Sequence, residues 1–201
     1  MYNKMTAARQ AFTRESADAR RTGLIEATAA VLAEQGLAGT TVRAICAKAG
    51  VSPGLLRHYF EGIGDLVAAT YAATSDRMDA IFAGAVEGAG DDPRARLTAY
   101  LTASFRPPVT DPALLGAWTA FWALARSDAR MAAIHAGSYA GYRERLTDLL
   151  TACGAADAGR LAILLTAMVD GLWLELSLDS TSFGAEAAVA MVERAVGALL
   201  P

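Results

Sequence analysis

Six prolines frame what this chain can become. Pro53, Pro93, Pro107, Pro108, Pro112 and Pro201 fall in a few clusters and leave residues 54–92 and 113–200 free of proline. A proline inside a helix removes a backbone donor and clashes with the preceding turn, at a cost of about 3 kcal/mol. Two proline-free runs of this length are therefore the room that long helices need. Ala, Leu, Arg and Met fill them, and period-two alternation of β-branched residues is nearly absent. The expectation is an all-α chain of about nine helices. Residues 1–16 carry no apolar period and read as a flexible arm. A first helix is predicted over 17–35, with Leu24, Ile25, Ala27, Thr28, Val31 and Leu32 on one face and Gly36 as its stop. Short helices at 41–48 and 53–59 precede a long one at 63–88. The strings GAGDDP and RPPVTDP mark breaks, and further helices are expected near 92–105, 112–127, 129–152, 156–178 and 184–199.

With 54% hydrophobic and 19% charged residues among 201, the chain has ample material for a packed core. A net charge of −3 argues mildly against a polyanionic partner, but the charge is uneven. Residues 1–66 hold eight basic against six acidic side chains, +2, whereas residues 67–201 hold ten against fifteen, −5. Cys46 and Cys153 form no CxxC pair, so neither a disulfide framework nor a zinc site is expected. The N-terminus lacks the apolar centre of a signal peptide, and the longest apolar run, Leu161 to Val169, stops at Asp170, short of a membrane span. A cytoplasmic protein is expected, with no membrane, no metal and no cofactor.

The segment TTVRAICAKAGVSPGLLRHYF, 40–60, is the most specific stretch. Thr40 or Thr41 can cap a helix with Val42, Ile45 and Ala49 inward, and Gly50 can end it in the left-handed conformation. Ser52 can cap a second helix with Pro53 in its first turn. Two short helices across a tight glycine turn make either a helix-turn-helix or an ordinary helical hairpin. In the first case Pro53, Gly54, Arg57 and His58 face a DNA major groove. Arg57 is suited to a guanine edge, and His58, Tyr59, Ser52, Thr41 and Arg43 are suited to phosphates. With the preceding EQGLAGTTV, the segment resembles the N-terminal domain of the TetR family of bacterial transcriptional repressors. The similarity rests on Gly36 to Val42, Ala49 to Ser52, Gly54, and Tyr59 and Phe60 followed by Leu66. It departs where Arg57 stands for a frequent tyrosine, and where Ile63 and Gly64 stand for a lysine that usually opens the fourth helix. The resemblance implies a helix-turn-helix domain over 17–66 and a ligand-binding, dimerising domain over 67–201.

No motif of a metalloprotease, di-iron bundle, phosphate loop or serine nucleophile occurs, so no catalytic residue is assigned and the chain is not expected to be an enzyme. AWTAFWALARSD, 117–128, places Trp118, Phe121 and Trp122 on one helical face, as core or as a ligand wall. Downstream, Asp170 and Glu175 interrupt a helix that is otherwise apolar nearly all round, with Trp173 between them. A buried carboxylate needs a partner, and aromatic rings with acids are the parts of a cage for an organic cation. His135 and Tyr139 complete the candidate ligand set; dimer salt bridges are the alternative for Asp170 and Glu175. AWTAFWAL and MVDGLWLELSL are similar to the ligand domain of the choline-responsive BetI-like branch of that family. This similarity implies choline or a related quaternary ammonium or polyamine as inducer. It also implies a homodimer through the helices near 156–178 and 184–199, the latter with a stripe of Ala188, Val189, Val192, Ala195, Val196 and Leu199. The expected protein is a repressor of double-stranded operator DNA released by a small molecule. A helical carrier or enzyme using the C-terminal cavity is the alternative.

Overall fold

Helix starts are written plainly into the chain. Asp92, Asp111 and Asp128 each stand just before a helix and accept hydrogen bonds from backbone N–H groups of its first turn: Ala95 at 2.8 Å, Ala113 at 2.8 Å and Arg130 at 2.9 Å. Prolines 93 and 112 fill the next positions, where the missing donor costs nothing. The computed structural model describes residues 17–179 and 181–200; the predicted arm at 1–16 lies outside the described residues. Among the described residues are nine α-helices and no strand: α1 (Ala17–Gly39), α2 (Val42–Ala49), α3 (Pro53–Tyr59), α4 (Ile63–Gly88), α5 (Pro93–Thr102), α6 (Pro112–Ala125), α7 (Ala129–Ala152), α8 (Ala158–Leu178) and α9 (Ala185–Leu199). A turn of 3-10 helix, Ala103–Phe105, extends α5. Gly36, at φ 64°, leaves the helical region as predicted, yet one more turn follows it to Gly39.

Two hydrophobic clusters organise these helices. The smaller joins Leu24 and Val31 of α1, Ile45 and Cys46 of α2, Leu56 of α3, Phe60, and Leu66 at the start of α4. The larger runs from Leu32 through Tyr71, Phe82, Leu101, Phe121, Leu150 and Leu165 to Val192. α1 and α4 contribute to both, so the small head and the large body share two continuous helices. α6 also lies against α1, and Gly116 makes that approach possible: a Cβ there would sit 3.3 Å from the carbonyl oxygen of Ala33. An ion pair of 2.7 Å from Arg130 of α7 to Asp65 in the first turn of α4 adds a surface tie.

α8 buries Ala162, Leu165, Thr166, Val169 and Trp173 but leaves Ile163 60% and Leu178 74% exposed, with Leu164 and Leu174 alongside. By length and composition alone this helix is long and apolar enough to cross a membrane, because the apolar pattern resumes after Asp170. The contiguous run up to Val169 understated it. Four of the six residues of the expected α9 stripe face the chain's own interior, while Ala195 is half-buried and Leu199 is 39% exposed. Ala188, Val189, Val192 and Val196 are buried within the chain, where α9 packs on α5, and are not free for a second copy. Amphipathic periodicity marks a face as buried without saying against what.

Because Gly116 sits against the Ala33 backbone where α6 crosses α1, Gly116→Val is expected to destabilise the fold by about 1–3 kcal/mol in urea unfolding. Gly137→Val, where a Cβ meets nothing within 4 Å, is expected to be near neutral.

Candidate nucleic-acid interface and candidate ligand cavity

The head presents its second short helix through three local devices. The Thr41 hydroxyl accepts from Ala44 N–H at 3.2 Å and starts α2. Gly50, at φ 66° and ψ 31°, closes it, with Val51 N–H donating to the Cys46 carbonyl at 3.0 Å. The Ser52 hydroxyl then accepts from Leu55 N–H at 3.2 Å, and Pro53 opens α3. Leu56 and Phe60 anchor α3 in the small core. Thr41, Arg43, Ser52, Pro53, Gly54, Arg57 and His58 are exposed, and Tyr59 is half-buried with its ring edge-on to His58 at 5.1 Å. Arg21 of α1 lies over the Phe60 ring, 5.1 Å from its centroid, and Lys48 of α2 pairs with Glu34 of α1.

The body encloses a small aromatic cavity between α4, α6, α7 and α8. Trp118 and Trp122 come from α6, Tyr139 and Tyr142 from α7, Asp170 and Trp173 from α8, and Ser75, Met78, Asp79 and Phe82 from successive turns of α4. Its volume is about 60 Å³. Trp122 and Trp173 meet edge to face at 5.6 Å. The Trp122 indole N–H donates to the Tyr139 hydroxyl at 3.1 Å, which donates to Asp170 Oδ1 at 3.1 Å. Burial pushes the Asp170 carboxyl up to about 6, although the Tyr139 hydrogen bond and the charge of Arg143 both pull it down. Ser75 Oγ, the Tyr142 hydroxyl and the Trp173 indole N–H are the buried side-chain polar atoms without a hydrogen-bond partner among the described residues, and all three belong to this wall.

Residues 24–70 match the bacterial regulatory proteins of the TetR family, and residues 93–201 match the BetI-type transcriptional repressor C-terminal domain. The chain belongs to the TetR family and is a regulator of the BetI type. It is similar to the HTH-type transcriptional regulator BetI of Rhizobium meliloti, at 36% identity over 186 residues, covering 90% of this chain and 89% of the relative. A crystal structure described as a transcriptional regulator from Pseudomonas aeruginosa is 40% identical, with a TM-score of 0.83 and coverage of 94% and 93% of the two chains. The fold also matches a transcriptional regulator from Saccharomonospora viridis in complex with choline, at 16% identity, a TM-score of 0.79 and coverage of 89% and 95%. BetI-type regulators are DNA-binding proteins that control transcription in response to ligands, and this chain is not an enzyme.

Not every residue expected in the ligand site of this BetI-type regulator touches the cavity. Trp118, Trp122, Tyr139, Asp170 and Trp173 line it. Phe121 and His135 stand one layer behind: Phe121 is fully buried and stacks on Tyr71 at 4.4 Å, and His135 Nδ1 is 2.8 Å from the Tyr71 hydroxyl. Burial and Arg143 hold the His135 imidazole below its ordinary value. Glu175 is exposed and takes no part. The α4 wall was missed. Its signal was Ser75, Met78, Asp79 and Phe82 at i, i+3, i+4 and i+7, a stripe that carries a carboxylate on an otherwise apolar face.

A carboxyl held near 6 in the fold and near 4 in the unfolded chain favours the fold only while protonated, so its contribution is full below about 4 and lost as pH rises through about 6. Asp170→Asn keeps the acceptor for Tyr139 and removes the charge. In the ligand-free protein it is expected to raise stability at pH 7.5 by about 1–3 kcal/mol, with the gap closing near pH 4, as read by urea unfolding across pH.

Proposed function

We propose that this BetI-type regulator is a dimeric repressor whose hold on a palindromic operator is released when a small quaternary ammonium, choline foremost, fills the aromatic cavity. One observation carries the reading: an ionisable carboxylate and three unpartnered buried polar atoms face a single space walled by three tryptophans and two tyrosines. Unsatisfied buried polar groups are costly, and a guest that meets them offsets that cost. A trimethylammonium head suits the rings by cation–π attraction and Asp170 by charge. An alcohol tail suits the open Ser75, Tyr142 and Trp173 groups. Size supports the same class. A space of about 60 Å³ is compact, which suits a small head group better than a long-chain or multi-ring ligand. The choline carried by the Saccharomonospora viridis protein of the same fold agrees with this choice.

Residues 17–66 form the reading head in this proposal, and residues 67–201 the ligand-binding and dimerising body. Arg57 reads a guanine edge, Pro53 and Gly54 bring the backbone close to DNA, and Thr41, Arg43, Ser52, His58 and Tyr59 hold phosphates. TetR-family regulators act as dimers, and the uncovered apolar face of α8, with the outer side of α9, is the surface assigned to the second copy. Two heads related by a twofold axis then meet successive major grooves, about 34–36 Å apart. A ligand pressing on Ser75, Met78 and Phe82 moves α4, whose first turn is part of the head. Such a regulator works where the DNA is, in the cytoplasm.

Arg57→Ala is expected to weaken operator binding by about 1–3 kcal/mol and to flatten the preference among operator variants, measured by fluorescence anisotropy at fixed salt. Unchanged affinity and preference would place the reading face elsewhere. Choline binding, followed by the fluorescence of Trp118, Trp122 and Trp173, is expected to be about tenfold weaker at pH 5 than at pH 7, because protonation of Asp170 removes the counter-charge. Binding that ignores pH over this range would detach the ligand from Asp170.

A further inference from the structure

The cavity has a neighbour that the regulator's proposed cycle does not use. Beside it lies a groove of about 380 Å³ lined by Asp79, Tyr100, Gly141, Glu144, Arg145 and Asp148. Asp79 belongs to both spaces. Three carboxylates face one guanidinium in the groove, so it is negative where the inner cavity is mostly aromatic. No hydrogen bond or ion pair closes on Asp79 among the described residues; burial and the neighbouring Asp76 push its carboxyl up, and Arg145 pulls it down from a distance. One turn before it on α4, Ser75 is 5% exposed and its hydroxyl is unpartnered on the inner cavity wall. The partition between the two spaces is a stack of rings. Tyr100 on the groove side lies 4.9 Å from Tyr142 on the cavity side, and Phe82 meets both edge-on at 5.5 Å.

We propose that this groove is the access route of the cavity and that Asp79 receives the incoming cation before Asp170 does. The inference rests on the cationic-ligand reading above and adds a residue that governs its arrival. A cation in solution meets the negative groove first, is held at a carboxylate that has no other partner, and enters past Asp79, the residue that groove and cavity share. The groove and Asp79 offer negative charge at the start of that path, and the cavity offers its rings and Asp170 at the end. Asp79 then acts on association. A charge at the rim of a site changes the on-rate and its salt dependence, whereas a charge against the bound ligand changes the off-rate.

The test is stopped-flow binding of choline to the full chain, read by tryptophan fluorescence, in low and in physiological salt. With Asp79→Asn, association is expected to slow by about three- to tenfold at ~10 mM salt, and the difference to shrink at 150 mM. Dissociation changes less than association does, Asp79→Glu restores the parent rate, and the paired change Glu144→Gln with Asp148→Asn acts in the same direction. Asp170→Asn speeds dissociation instead. Association by Asp79→Asn equal to the parent at both salt levels overturns the proposal. So does faster dissociation that accounts for all the lost affinity, since Asp79 would then touch the bound cation. A parent that shows no saturable response to choline overturns the ligand reading itself and the route with it, a result distinct from either of the others. Thermal melting of each variant alongside the parent keeps these rates from being confused with misfolding.

Discussion

One helix has to satisfy two hydrophobic cores at once. α4 buries Leu66 in the head and Tyr71, Met78, Phe82 and Val86 in the body, with no break in its hydrogen bonding between them. Close-packed cores transmit displacement rather than absorb it, so a change at the level of Phe82 reaches Leu66 as rigid motion. α1 repeats the arrangement with Val31 in one cluster and Leu32 in the other. The Gly116 crossing and the Arg130–Asp65 pair connect α6 and α7 to these same two helices. Linking ligand and operator takes a difference in preference of about 1–3 kcal/mol between two head positions. That is well within what a few repacked side chains along α4 can supply.

The ligand-free cavity is a poor solution to the folding problem, and this is informative. Asp170 loses water, gains one hydrogen bond from Tyr139 and keeps a proton longer than an exposed carboxyl would. Around it, a serine hydroxyl, a tyrosine hydroxyl and an indole N–H are buried without partners. A core selected for stability alone would replace these groups with aliphatic ones. Their concentration at one place, in a body whose other buried side-chain polar groups among the described residues are hydrogen-bonded, supports the proposed guest. The Tyr71–His135 pair behind it is, by contrast, fully mated and belongs to the frame.

Much of this was legible in the chain, and the limits follow from what a period can say. Proline clusters, Ser52 and Gly50 placed most helix ends within a residue or two, because capping is a local event, whereas α1 runs one turn past Gly36 to Gly39. The helix-turn-helix was readable for the same reason. Trp118, Trp122, Asp170 and Trp173 stood out because a residue type clashed with its apolar surroundings. Phe121 and His135 were drawn into the ligand set because they share a face or a neighbourhood with true wall residues. Which of them looks into the void depends on the stacking of Tyr71, on another helix. The α9 stripe was similarly real but turned inward, onto α5. Ser75 and Asp79 escaped notice because their significance appears only when α4 is placed beside α7 and α8.

The charge distribution ties the two ends of the molecule together. A net −3 chain cannot rely on a broad positive field to hold DNA. In the head, Lys48 is already paired with Glu34 and Arg21 rests on Phe60, which leaves Arg43 and Arg57 as the exposed cations of the helix-turn-helix. In the proposed reading, a grip with so few ionic contacts from the described residues of each head depends on two heads engaging together, where geometry weighs more than charge. In the proposed cycle the negative surplus of the body serves two ends: it repels the DNA backbone from everything but the head, and it favours a cation at the groove and cavity. An operator grip that depends on spacing is the kind that a small motion of α4 can release.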